Sequence, residues 1–231
     1  MPSAYNPFAD PTQAAAYDGW FETPLGRLIG RLQGALVERL AQPRPGERAL
    51  DVGTGTGLYA VRLASQGLRV VGCDPSSAML DVAARKGAAV QWCQAEAEHL
   101  PFGDGAFDLV LSVTVLEFVA DPLRALQEMY RVTAPGGRLV VAVLNAESAW
   151  GRFYRAQAEQ VETPFRYARL FTPLQFTGLL RTANAHKPPR WSSSIFFGPS
   201  GRMAWAGALL ERLGQGFWPE RGALLVGRVE K

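Results

Sequence analysis

The sequence is short of the residues from which many functional sites are built. Its 231 residues include two cysteines, Cys73 and Cys93, and two histidines, His99 and His186. Both cysteines stand in apolar, strand-like segments, so they read as buried thiols rather than as a disulfide or a metal pair. His99 reads as exposed and His186 as a loop residue, and neither has a partner at metal-ligand spacing, so no metal is expected. No uncharged apolar run approaches the ~20 residues that a membrane helix requires, and no integral membrane segment is expected. The opening "MPSAYNPFADPTQ" has neither the basic start nor the apolar stretch of a secretory signal. A cytoplasmic location is the resulting expectation. Internal repeats, low-complexity tracts and dense Lys/Arg runs are also absent from the sequence, which leaves no nucleic-acid partner expected.

What remains is a folded composition, 48% hydrophobic and 19% charged, of a length that suits one α/β domain with additions. The net charge of +3 is unevenly placed. Residues 151–190 carry seven basic residues and two acidic ones. That stretch is either a solvated arginine-rich surface or a complement to an acidic substrate or an anionic membrane surface.

Strand and helix patterns alternate through the middle of the chain. Strands are expected at Arg48–Gly53, Arg69–Asp74, Ala88–Gln94, Phe107–Val113 and Gly137–Leu144, with helices at Gly57–Ser65 and Ser76–Arg85. Asp121-Pro122 is a helix start, an acidic N-cap followed by proline at the first helical position. The helix after it, "PLRALQEMYRVT", sets Leu123, Leu126, Met129 and Tyr130 on one face until Pro135-Gly136-Gly137 breaks it. Strands apolar on both faces that alternate with helices imply a mostly parallel sheet covered on both sides. Residues 46–145 form this core. Residues 1–45 form an aromatic-rich helical segment, and 146–171 an insert after the fifth strand. Residues 172–231 complete the sheet with a helix at Pro173–Ala183, a strand at Arg190–Phe197, an amphipathic stretch at Met203–Leu213 and a last strand in "GALLVGRVEK".

The stretch "ALDVGTGTGLYAVRLA" leaves the first strand through three glycines at alternate positions, Gly53, Gly55 and Gly57. Glycine is costly to order and has no side chain to bury, so something must approach this backbone closely. In open α/β sheets ligands bind at the carboxyl ends of strands. Dinucleotides and S-adenosylmethionine both use this place. The dinucleotide pattern is G-x-G-x-x-G, aimed at a pyrophosphate; here the spacing is G-x-G-x-G. Asp51, two residues before the first glycine, would repel a pyrophosphate and suits a ligand with an ammonium group. Asp74 closes the second strand, 23 residues after Asp51, where an acid can accept both ribose hydroxyls.

Together, "LDVGTGTG" and "VVGCDPSSAML" resemble the first two motifs of the class I S-adenosylmethionine-dependent methyltransferases. "AEAEHLPFGDGAFDLVLSVTVLEFVADPLRALQEMYRVTAPGGRLVVAVLN" resembles their later motifs in the ubiquinone/menaquinone-type, or type 11, subgroup. The likeness runs through residues 47–145 and is looser over 170–231. It implies a single Rossmann-like α/β unit with a seven-stranded, mostly parallel sheet and S-adenosylmethionine as cofactor. It also implies roles. Asp51, Gly53, Thr54 and Gly55 would line the methionine end, and Ser112 would face it. Asp74 would hold the ribose, with Pro75 and Met79 beside the adenine. Glu96 stands where the family has aspartate; it would accept from the adenine amino group, and the Ala97 amide would donate to the ring. Many relatives have histidine at or next to the position of Glu117, which is then either an active-site group or a plain polar residue.

Methyl transfer needs little beyond positioning and water exclusion, so a dedicated side chain is not required; a base helps a hydroxyl or a protonated amine. Tyr17 and Glu117 are the catalytic candidates. Tyr17 lies in "AYDGWFETPLGR", read as a lid over the cofactor, with Tyr17 a cofactor-binding residue at its methionine end, or as an amphipathic helix on the sheet edge. Trp150, Phe153, Tyr154, Phe165 and Tyr167 form either a wall for an apolar or cationic acceptor or the core of a small cap. The implied partner is a small-molecule acceptor, acidic or aromatic, methylated on O, N or C. The alternatives are a lipid methyltransferase at a membrane surface and an inactive cofactor-binding protein.

Overall fold

The computed structural model describes residues 8–184, 187–201 and 203–231; His186 lies outside them. The sheet has seven strands: β1 (Arg48–Val52), β2 (Arg69–Asp74), β3 (Val90–Gln94), β4 (Phe107–Val113), β5 (Thr133–Leu144), β6 (Arg190–Ser194) and β7 (Leu224–Glu230). Their order is β3-β2-β1-β4-β5-β7-β6. All pairs from β3 to β5 are parallel, and β7 runs antiparallel to both its neighbours. The order reverses between β1 and β4, the switch point at which such sheets open a crevice.

Among the described residues eight α-helices surround the sheet: α1 (Pro11–Glu22), α2 (Pro24–Ala41), α3 (Leu58–Ser65), α4 (Ser77–Ala84), α5 (Pro122–Val132), α6 (Ala149–Gln160), α7 (Pro173–Ala183) and α8 (Gly207–Phe217). Alternation along β4 and β5 divides the core. Leu109, Leu111, Val140 and Ala142 face α2 and α3, while Val110, Leu139, Val141 and Val143 face α5 and α7. The single helical segment expected before residue 45 is two helices. Thr23 accepts from the Gly26 amide and Pro24 follows it, so one residue both ends α1 and caps α2.

Other boundaries also differ from those expected. The buried face of α5 is Ala125, Leu126, Met129 and Val132, with Leu123 exposed. Pro135-Gly136-Gly137 does not end the helix: α5 stops at Val132 and the chain passes straight into the strand. β5 begins at Thr133, and the Pro-Gly-Gly segment is a bulge opposite β4 with Gly136 at φ +77°. β6 stops at Ser194 because Ile195 turns to φ +67°. The amphipathic helix near the C-terminus starts four residues later than expected, at Gly207.

Two buried arginines fix α2 to the sheet. Arg138 of β5 donates to the carbonyls of Ala41 and Gln42 and pairs with Glu47 at 2.7 Å. Arg228 of β7 donates to Leu40 O and to Gln42 Oε1, each at 2.8 Å. Cations at a helix C-terminus satisfy its last carbonyls and oppose its dipole. The placement of α2 in turn sets where α1 lies.

Candidate functional site

At the carboxyl end of β1 the three glycines adopt left-handed conformations, with φ of +67° at Gly53, +54° at Gly55 and +81° at Gly57. Their surroundings differ. A Cβ on Gly53 would lie 2.3 Å from the Val115 side chain, and one on Gly57 would lie 2.6 Å from Trp92. Those two positions are closed by packing. A Cβ on Gly55 would meet nothing within 4 Å. The middle glycine therefore borders the open space a ligand needs.

Two carboxylates flank this turn. Asp51 is buried, and its Oδ2 accepts from Thr54 Oγ1 at 2.6 Å. Burial pushes its pKa up to about 7, against the hydrogen bonds from Thr54 and the Ala60 backbone and with a further push from Asp74. Asp74 accepts from the Gly55 amide on Oδ2 and from the Ser76 amide on Oδ1, both at 2.9 Å. Its carboxylate is thus held in one orientation with lone pairs left over. Burial raises its pKa despite those two amides.

Helix α1 reaches across the turn. Asp18 accepts from Thr56 Oγ1 at 2.6 Å and pairs with Lys86 at 2.7 Å, bridging the glycine turn and the end of α4. Ser76 Oγ donates to Phe8 O at 2.8 Å, and the Phe8 ring meets Phe118 edge-on at 5.1 Å. Tyr17 is half-buried here. Its pKa is pushed up to about 12 by burial, then by Asp18, Asp74 and Glu117, which places it in electrostatic reach of all three.

The other expected residues separate. Met79 is buried and its amide donates to Ser76 Oγ, whereas Pro75 is exposed and its carbonyl accepts from Gln94. Ala97 is buried, but the Glu96 side chain is 67% exposed and faces His99 at 4.0 Å. Ser112, at the end of β4, is fully buried and its hydroxyl has no hydrogen-bond partner. Cys73 is buried and Cys93 half-buried; both are free thiols.

Beyond β4 the chain turns sharply at Thr114, with φ +56°, and brings Glu117 inward. Glu117 is 1% exposed. Its Oε1 accepts from the Leu144 amide at 2.5 Å, and its Oε2 has no partner. Burial pushes its pKa up to about 8, against the bonds from Leu144 and its own backbone. The insert leaves and rejoins the sheet beside it: Asn145 bridges Phe171, and the Arg169 amide donates to Glu117 O at 2.8 Å. Within the insert Tyr154 stacks on Phe165 at 3.9 Å and lies against Trp150. Phe153 and Tyr167 point outward. Tyr17 contributes to the raised pKa of Tyr154, so lid and insert approach one another. Tyr59 also belongs to this group, near Asp51 and Tyr17. Sequence reasoning passed over it, although it is the second residue of the helix that opens on the glycine turn.

The sheet order and the glycine turn at its switch point define a Rossmann-like ligand-binding protein. Comparison with known proteins narrows that class. Residues 50–141 match the family model of the methyltransferase domain. An uncharacterized protein of Mycobacterium tuberculosis is 36% identical over 189 residues, which are 76% of this chain and 62% of that protein. The demethylmenaquinone methyltransferase of Beutenbergia cavernae is 46% identical over 110 residues, 48% of this chain and 45% of that one. The chain thus spans only part of the length of the curated relatives it matches. A solved structure described as an S-adenosylmethionine-dependent methyltransferase and possible histamine N-methyltransferase, from Thermotoga maritima, superposes with a TM-score of 0.71 at 29% identity. That match covers 96% of this chain and 97% of the other. Over residues 50–141 the chain is thus similar to the methyltransferase domain, and over nearly its whole length to a solved S-adenosylmethionine-dependent methyltransferase.

The residues present fit that cofactor. The open space at Gly55 gives it room, the oriented Asp74 suits a ribose, and Asp51 and the unpartnered Ser112 hydroxyl suit a polar amino-acid end. Two glycine variants separate packing from binding. Gly55→Ala strains a left-handed residue by about 1–2 kcal/mol and fills ligand space, so a modest loss of thermal stability should accompany a loss of cofactor affinity of at least tenfold. Gly53→Ala collides with Val115 and should lower the melting temperature more. Equal melting temperatures, or unchanged affinity in Gly55→Ala, would contradict this division.

Proposed function

We propose that this protein transfers a methyl group from S-adenosylmethionine to a small-molecule acceptor. The observation that carries the proposal is the open face of Gly55 set between two buried carboxylates that no cation among the described residues neutralises. When bound, the cofactor supplies an electrophilic methyl group on a positively charged sulfur. Asp51, Gly53, Thr54 and Gly55 would hold its amino-acid end with Ser112, and Asp74 its ribose. Met79, Pro75 and Ala97 would flank the adenine. Glu96 would reach that ring only by turning from the surface. Residues 46–145 act as the binding core and 172–231 complete its sheet. Residues 1–45 serve as a lid latched by Asp18, and 146–171 as a cap on the acceptor side. Tyr17 and Glu117 face the space between lid and cap, where water must be excluded for transfer. The reaction is placed in the cytoplasm.

Calorimetric titration tests the proposal. S-adenosylmethionine and S-adenosylhomocysteine should bind with micromolar affinity, NAD should not, and Asp74→Ala should abolish binding. Binding of NAD alone would refute the cofactor. Cofactor binding without product from any acceptor would favour the inactive binding protein.

A second reading, transfer to a lipid acceptor at an anionic membrane surface, is favoured by the outer face of α8. Trp205, in the short 3-10 turn before α8, and Leu209, Leu213 and Phe217 of α8 recur every fourth residue and are 84%, 59%, 40% and 70% exposed. Arg212 flanks them, and Arg39 lies alongside through Gln215 at 2.8 Å. An exposed apolar stripe beside arginines is the pattern of an interfacial helix. No helix among the described residues is long and apolar enough to cross a membrane. The protein should co-sediment with phosphatidylglycerol vesicles but not with phosphatidylcholine ones, and Leu209→Glu should release it. No sedimentation with either would remove this reading.

A further inference from the structure

Glu117 is the carboxyl group of the site that no cofactor assignment uses. One of its oxygens is satisfied by the Leu144 amide, while the other is buried without a partner. Unsatisfied buried polar atoms are rare, because each forfeits its hydration without return. The position of Glu117 adds to the argument. It lies at the carboxyl ends of β4 and β5, where the insert closes back on the sheet through Asn145 and Phe171. Tyr17 of the lid is in electrostatic reach of it, and Tyr154 of the insert is in reach of Tyr17.

Among the described residues the charge of this space is mostly of one sign, the exceptions being Lys86, paired with Asp18, and Arg62, in reach of Tyr59. Asp51, Asp74 and Glu117 are all buried, and no cation contributes to the shift of any of them or of Tyr17. Three arginines of the insert are engaged elsewhere: Arg152 and Arg155 donate to the carbonyls of Glu147 and Ala146, and Arg166 pairs with Glu162; the fourth, Arg169, whose amide donates to Glu117 O, is exposed. A carboxylate acceptor would find no cation beside the free oxygen of Glu117 among the residues that shift it. An apolar acceptor would leave the free oxygen of Glu117 unsatisfied. An ammonium group answers both conditions, and the aromatic faces of the lid and insert suit a cation as well.

We propose that the methyl acceptor is an amine, received as its ammonium ion by the free carboxyl oxygen of Glu117, which also takes its proton. This rests on the methyltransferase reading above. The ammonium gives one proton to Glu117 Oε2. The freed nitrogen lone pair forms the N–C bond as the S–C bond breaks, with the bonding pair left on sulfur. The products are an N-methylated ammonium ion, the neutral thioether and a proton passed from Glu117 to water. A carboxyl whose burial holds its pKa near 8 is well matched to that exchange at neutral pH.

The test is calorimetry on the protein saturated with S-adenosylhomocysteine at pH 7, in phosphate and in MOPS. The probes are phenethylamine, 2-phenylethanol and phenylacetate, with propylamine, propanol and propionate as a smaller matched set. In at least one set the amine should bind tenfold or more tighter than its alcohol and carboxylate, releasing close to one proton as Glu117 ionises against the ammonium. Glu117→Gln, nearly isosteric, should abolish both the preference and the proton release while S-adenosylhomocysteine still binds. A purely structural role for Glu117 would leave the proton count unchanged. The proposal is overturned if neither amine is preferred, or if Glu117→Gln retains the preference. Failure of S-adenosylhomocysteine itself to bind is a separate result that removes the methyltransferase reading and this one together.

Discussion

Three carboxyl groups, those of Asp51, Asp74 and Glu117, are buried at the carboxyl ends of the central strands, and no cation among the described residues contributes to their shifts. Water stabilises a carboxylate far better than a protein interior does, so this arrangement works against the cofactor-free protein. The protein manages it locally. Asp74 takes two backbone amides, Asp51 takes the Thr54 hydroxyl, and Glu117 takes one amide and keeps the other oxygen bare. Each bond steadies a charge without neutralising it. A ligand with positive charge completes the set, which ties the location of the site to the chemistry of what it holds.

The fold delivers these groups to one place. Asp51 is in register with Gly72 of β2 and Leu111 of β4, so the first strand is central to the crevice. The reversal of strand order between β1 and β4 opens that crevice, and the left-handed turn at Thr114 carries the chain round to Glu117. The closing elements are held from the far side of the molecule. Arg138 and Arg228, on β5 and β7, grip the end of α2, and the single residue Thr23 links α2 to the lid helix. The lid then meets the glycine turn through Asp18, whose second oxygen is taken by Lys86.

Much of the core was legible because local rules and the final packing agree there. The β2 and β4 limits match the apolar runs that define them, and Asp121-Pro122 starts α5 as capping chemistry requires. The glycine spacing announced a ligand, but only the packing shows that Gly53 and Gly57 serve Val115 and Trp92 while Gly55 faces open space. Long-range pairings left no local trace. The Asp18 bridge spans 38 residues, and the Arg228 contact with α2 spans 188. The two readings of Glu117 were equally open in sequence, since a glutamate in "LEF" looks the same whether it faces water or a buried strand end. Its burial and its bare oxygen exist only once β5 and the insert close over it.

The central claim is that the site is a pocket of uncompensated carboxyl groups awaiting a cationic ligand. Carbon-13 NMR of aspartate and glutamate carboxyls, titrated with and without S-adenosylmethionine, tests it most directly. The account predicts that, without ligand, one aspartate titrates near pH 7 and one glutamate near pH 8, in keeping with the raised values of Asp51 and Glu117. It also predicts that S-adenosylmethionine returns the aspartate to the ordinary carboxylate range or below. Carboxyls that all titrate at ordinary values, or an aspartate unmoved by the ligand, would contradict the account.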